Sequence, residues 1–168
     1  MKIYFSHGKD SGPFGFKINY LSSIAEEMQI KSESIDYTST KNPDERVDIL
    51  INSYDKTEEN IVLYGSSMGA YVSLTASKII KPKALFLCAP ALYVQDYKIH
   101  EFSNLNIPIV IIHGYNDTVV PYKNSVKFAE KHACELHIVN DNHSLSNSQE
   151  IISFLFKEFL EKLSVIKI

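Results

Sequence analysis

A serine flanked by two glycines, an aspartate and a histidine follow one another along this chain in an order suited to nucleophilic chemistry. Ser67 stands in Gly65-Ser66-Ser67-Met68-Gly69, directly after the apolar run Ile61-Val62-Leu63-Tyr64 and before the helical pattern that begins at Ser67. Gly65 and Gly69 carry no Cβ, so a strand and a helix can close around a sharp bend that exposes the hydroxyl at the strand's C-terminal end. The same hydroxyl lies at a helix N-terminus, where free N–H groups favour developing negative charge. Ser67 is the candidate nucleophile. A Gly-x-Ser-x-Gly turn taken alone also suits a tight strand-to-helix turn with no chemistry, and the apolar strand before it and the amphipathic helix after it raise its weight.

A serine needs a base, and the base needs an acid to orient it. Asp117 lies in His113-Gly114-Tyr115-Asn116-Asp117, four residues beyond a strand and shortly before Pro121. A carboxylate there can hold a histidine in the tautomer whose other nitrogen faces the serine, although such an aspartate alone would suit a turn or a cap. His143 follows the strand Glu135–Val139 in the loop Asn140-Asp141-Asn142-His143-Ser144. Of the other five histidines, His100 and His132 are expected on the surface, and His137 within a strand. His7 and His113 each precede a glycine at a strand end. Only His143 combines the right loop with the order Ser67, Asp117, His143.

An oxyanion formed on attack at a carbonyl needs two backbone donors. One is expected from the Met68 N–H, the other from the loop His7-Gly8-Lys9-Asp10-Ser11-Gly12-Pro13. Lys9 is the first choice there and Asp10 the second. The Lys9 side chain is expected in solvent, within reach of an acidic substrate.

These loops need a scaffold. Apolar runs predict strands at Lys2–Ser6, Lys31–Tyr37, Ile61–Tyr64, Ala84–Cys88, Ile107–His113 and Glu135–Val139, the polar second one at an edge. Helical spacing predicts helices over Phe16–Gln29, from Pro43 after an Asn42 cap, over Ser67–Ile80, from near Pro121, and from near Ser148. Met68, Tyr71, Val72, Ala76 and Ile79 are expected on one face of the third. Asn147 and Glu150 have capping-box spacing. The last helix offers a wide apolar stripe: Ile151, Ile152, Phe154, Leu155, Phe156, Phe159, Leu160 and Leu163. Such alternation gives an α/β protein, a parallel sheet between two helical layers, with its site beyond the carboxyl ends of the strands.

Composition narrows the function classes. The chain has 168 residues, 45% of them hydrophobic and 22% charged, which suits one globular domain over residues 1–168. A net charge of −3 and the lack of a basic stripe argue against nucleic acid. Cys88 and Cys134 make no disulfide framework, and Cys88 reads as a small buried hydrophobe. No phosphate loop, dinucleotide turn or zinc-ligand spacing is present, so neither cofactor nor metal is expected. The N-terminus lacks the apolar core of a signal peptide, and no run approaches the roughly 18 apolar residues of a membrane span. A cytoplasmic location is expected.

Taken together, His7-Gly8, Gly65-Ser66-Ser67-Met68-Gly69, Gly114-x-x-Asp117-x-x-Val120-Pro121 and His143 resemble the α/β-hydrolase superfamily over essentially the whole chain. The loop His7–Pro13 is similar to that of small, lidless bacterial serine hydrolases. The resemblance implies Ser67 as nucleophile, His143 as base and Asp117 as acid, with Met68 and Lys9 donating to the oxyanion. The superfamily's usual first two strands are missing, which implies a six-stranded sheet in the order 2-1-3-4-5-6. Asn142 stands where relatives often carry glycine, a position where Asn tolerates a left-handed conformation.

The segment Ala91–Asn106, where relatives insert a lid domain, is short. Its Tyr93, Val94, Tyr97, Ile99 and Phe102 either roof a small acyl pocket or pack on the sheet, and Tyr93 and Tyr97 are the candidate substrate contacts. A shallow, open site is expected, taking a small ester or thioester or an acylated molecule. Acyl transfer and C–C cleavage use the same three residues, a silent ligand-binding scaffold keeps the pocket without turnover, and a peptidase would need a longer cleft than this chain has room for.

Overall fold

The computed structural model describes residues 1–102 and 105–165; the domain range, the Ala91–Asn106 segment and the C-terminus extend in part beyond them. Strands β1 (Lys2–Ser6), β2 (Lys31–Ile35), β3 (Ile61–Ser66), β4 (Ala84–Cys88), β5 (Ile109–Gly114) and β6 (Glu135–Val139) alternate with helices. These are α1 (Phe16–Glu27), α2 (Pro43–Ser53), α3 (Met68–Ile80), α4 (Tyr122–His132) and α5 (Gln149–Val165). The six strands form one parallel sheet in the order β2-β1-β3-β4-β5-β6, as the resemblance implied.

Strand alternation divides the core between two layers. Tyr4, Ile61, Leu63, Leu85, Leu87 and Ile111 point into the layer of α2, α3 and α4. Ile3, Phe5, Val62, Tyr64, Phe86, Val110 and Ile112 point into the layer of α1 and α5. β1, β3, β4 and β5 are buried on both faces, and therefore read as unbroken apolar runs. β2 exposes Lys31, Ser32 and Glu33, as its edge position demands.

Several expected boundaries shift. α1 ends at Glu27, because Gln29 turns left-handed at φ 58°. β2 stops at Ile35, where the Asp36 carboxylate accepts the Thr38 N–H and turns the chain. β3 and β5 each run on into their glycines, to Ser66 and Gly114, and β5 starts after Pro108, which has no N–H for the ladder. On α3 the buried line from Ala76 continues to Ile80, leaving Ile79 58% exposed. On α5 the buried stripe is Ile152, Phe156, Phe159, Leu160 and Leu163; Ile151 and Phe154 face outward. The Asn42 cap is present, its side chain accepting from the Asp44 and Glu45 N–H groups. The Asn147–Glu150 box is not: the Asn147 amide donates to Asp141 instead.

Candidate active site

All loops that matter leave the same edge of the sheet, because the register aligns the strand ends: Ser6 with Gly65, Ser66 with Cys88, Gly114 with Val139. At the end of β3, Ser67 adopts φ 54°, ψ −119° and caps α3. That is a left-handed φ on a residue with a side chain, of the kind held only by firm surroundings. Here the Ser67 N–H donates to the Cys88 carbonyl at 2.9 Å, and the Ser67 carbonyl accepts from Ala70 and Ala91. The flanking glycines permit the contact. A Cβ on Gly65 would lie 2.4 Å from the Ala70 Cα, and one on Gly69 only 2.1 Å from the Ser6 carbonyl oxygen.

The structure brings Ser67, His143 and Asp117 into one hydrogen-bonded chain. His143 Nδ1 lies 2.6 Å from Asp117 Oδ2, and His143 Nε2 lies 2.9 Å from Ser67 Oγ. A carboxylate only accepts, so Nδ1 carries the proton and Nε2 offers its lone pair to the serine O–H. The Asp117 side chain is fully buried. Its Oδ1 accepts the N–H groups of Val119 and Val120 at 2.8 and 2.9 Å. Burial alone would raise its pKa, but the donors from Val120, His143 and Val119 outweigh it and hold the carboxyl below its ordinary 3.8.

A fourth donor to Asp117 is a residue that sequence reasoning treated only as a rival base. His113 Nε2 lies 2.9 Å from Asp117 Oδ2 and 3.1 Å from the Val120 carbonyl, while Nδ1 lies 2.7 Å from the Ser125 hydroxyl. Two acceptors at Nε2 place the proton there, and Nδ1 accepts from Ser125. Burial lowers the pKa of His113, against the pull of Asp117, so it is a neutral support beneath the carboxylate.

The His143 loop has its own anchor, also missed. Asp141 is buried, and its carboxylate accepts from the Asn142 N–H, the Asn147 N–H and the Ser148 hydroxyl at 2.8–2.9 Å. Gly114 admits this loop: a Cβ there would meet the Asp141 carbonyl oxygen at 2.3 Å. Asn142 is not left-handed; that conformation falls on Leu145, at φ 55°. The Asn142 side chain instead accepts from the Ser144 N–H and hydroxyl.

Ser67 and His143 open onto a cleft of about 440 Å³ that Gly8, Lys9, Val94 and Tyr97 also line. Tyr93 does not line it. Its ring meets Phe102 edge-on, with Lys127 Nζ 4.2 Å above it. The segment after β4 thus divides its work: Val94 and Tyr97 roof the cleft, while Phe102 packs on Tyr71 and Phe128. Gly8 approaches closely, since a Cβ on it would stand 3.6 Å from the Ser67 Cβ. Among the described residues, no group accepts from the N–H of Met68, Lys9 or Asp10. Among them, too, no cluster suits a metal ion.

Residues 20–163 match the family described as phospholipase/carboxylesterase. The chain belongs to that family. The phospholipase/carboxylesterase assignment agrees with the solved structures it resembles, which are α/β hydrolases. A protein described as a hydrolase of the alpha/beta superfamily from Xanthomonas campestris pv. campestris is 25% identical over 96% of this chain and 98% of that one, with a TM-score of 0.88. Est1E from Butyrivibrio proteoclasticus, 17% identical, matches over 96% and 87% with a TM-score of 0.82. A serine hydrolase without a lid from Xanthomonas campestris, 17% identical, matches over 96% and 82% with a TM-score of 0.78; at that identity the last two speak for the fold alone. No curated protein matches the sequence. Family and fold support an enzyme of the hydrolase and esterase type. No helix among the described residues is long and apolar enough to cross a membrane.

Proposed function

We propose that this protein hydrolyses a small carboxylic ester or thioester through an acyl-enzyme on Ser67. The observation that carries the reading is the chain from Ser67 Oγ through His143 to Asp117 Oδ2, at the floor of an open cleft. Ser67 Oγ attacks the carbonyl carbon as its proton passes to His143 Nε2. Asp117, remaining ionised, stabilises the imidazolium through Nδ1–H. The carbonyl oxygen takes the negative charge and turns toward the free N–H groups of Met68 and Lys9. His143 then returns the proton to the departing alcohol or thiol. Water enters, gives a proton to the same nitrogen and releases the acid, and Ser67 regains its hydrogen.

The 440 Å³ cleft, roofed by Val94 and Tyr97, suits a short acyl group or an acyl group presented on a larger molecule. A fluorophosphonate probe tests the reading, with the adduct mapped by mass spectrometry on the wild type and on Ser67→Ala. A single adduct on Ser67, absent from the variant, is expected, together with turnover of p-nitrophenyl butyrate or a short acyl thioester. A folded wild type that neither labels nor turns over either substrate would remove the hydrolase reading in favour of a silent binding scaffold.

A further inference from the structure

Arg46 is the largest fully buried side chain in the described structure, 1% exposed, and among the described residues no carboxylate lies within ion-pair distance of it, Asp10 and Asp36 acting on it only from further away. A buried cation without a contacting counter-ion is costly unless dipoles replace the water it has lost. Here they are peptide carbonyls. Nε donates to the Thr40 carbonyl at 2.8 Å; Nη1 donates to Gly8 at 3.0 Å and to His7 at 3.4 Å; Nη2 donates to Lys9 at 3.1 Å. The Tyr37 ring lies 5.5 Å from the guanidinium. Three successive carbonyls of the loop after β1 thus converge on one side chain of α2.

That convergence has a geometric consequence. In a trans peptide the C=O and the following N–H point in opposite directions within one plane. With the carbonyls of His7, Gly8 and Lys9 turned to Arg46, the N–H groups of Gly8, Lys9 and Asp10 turn the other way. None of the three has an acceptor among the described residues, and Gly8 stands against Ser67. His7 reinforces the arrangement. Its Nε2 accepts the Tyr37 N–H at 3.1 Å, so its proton is on Nδ1, which donates to the Gly8 carbonyl at 2.8 Å.

We propose that Arg46 is a positioning residue: it clamps the carbonyls of residues 7–9 so that the Lys9 and Asp10 N–H groups are preorganised, unpaired, toward the oxyanion that forms at Ser67. The inference rests on the hydrolase reading above. An Arg is required because its fork reaches four carbonyls at once, which an ammonium on a flexible stem cannot do.

The test compares Arg46→Lys and Arg46→Gln with Val47→Ala, a change to a buried apolar residue of the same helix that contacts no loop carbonyl. Order in the loop is read directly by backbone ¹⁵N relaxation at Gly8, Lys9 and Asp10, and catalysis by kcat, KM and the Ki of a trifluoromethyl ketone that forms a tetrahedral oxyanion on Ser67. Expected for both Arg46 variants are disordered loop amides, kcat lower by about 10²-fold with KM within a fewfold, and ketone affinity falling in step with kcat/KM. Val47→Ala should lose thermal stability while keeping kcat. A loop that stays rigid in the Arg46 variants, or a kcat no lower than in Val47→Ala, would overturn the clamp. Failure of the hydrolase reading looks different: the wild type itself would be inert to probe and ester, and the catalytic role assigned to Arg46 would fall with it.

Discussion

Asp117 makes four hydrogen bonds through two oxygens, two from backbone N–H groups and two from histidines. Every one of them needs an acceptor at the carboxylate. Asp117→Asn would set an amide NH₂ either against the Val119 and Val120 N–H groups or against the two imidazole donors. If the latter, His143 must flip its proton to Nε2 and can no longer accept from Ser67. The expected result is a folded protein with kcat lower by about 10³–10⁴-fold, measured on a short p-nitrophenyl ester. Near-normal turnover would detach Asp117 from the reaction. Residue types and order made Ser67, Asp117 and His143 legible in the sequence. His113 was legible only as a histidine at a strand end, since nothing local says that its ring turns back onto residue 117.

At the scale of the elements, the C-terminal ends of β1 and β5 each bury a neutral histidine. His7 is held between the Tyr37 N–H and the Gly8 carbonyl, near Arg46, with Asp36 acting the opposite way. His113 lies between Ser125 of α4 and Asp117, with His143 beyond. Burial lowers both from their ordinary 6.5. Above that value folded and unfolded chains are alike neutral at these sites. Below it the unfolded chain takes up protons first, so stability falls as pH drops from about 6.5 toward the folded values. Asp117 and Asp141, held below 3.8, act in a separate window: their contribution is present above that value and is lost as pH falls below it. Urea unfolding at pH 7 and pH 5 should therefore show lower stability at pH 5. His7→Gln with His113→Gln should lessen that difference. An unchanged difference in the double variant would assign it to other groups.

The sheet brings six strand ends to one rim and leaves a cleft there that, among the described residues, no lid domain covers. Residues 89–108 are all that connect β4 to β5, and part of that segment is committed to packing against Tyr71 and Phe128 rather than to roofing the site. Each methylene buried in the cleft should add up to about 0.8 kcal/mol of binding, and each one beyond it should stay in water and add nothing. Across p-nitrophenyl esters from acetate to palmitate, kcat/KM should rise over the first few carbons and then level or fall. A continued rise to sixteen carbons would reveal a channel longer than the cleft.

Periodicity determined the alternation of strands and helices and the edge position of β2, and the flanking glycines the sharp turn at Ser67, because each is a local property of backbone and side chain. Ser67, Asp117 and His143 were readable as candidates because each stands in a loop that follows a strand at the same rim, in the order the serine motif brings with it. Only the tertiary structure decided that Asp141 anchors the His143 loop, that Tyr93 leaves the cleft to Tyr97 and Val94, and that Arg46 grips carbonyls 37–39 positions earlier. On a sequence a buried arginine reads as one more charge on the polar face of α2. Its meaning comes from a cluster of carbonyls that forms only when the loop after β1 closes against the Arg46 side chain of α2.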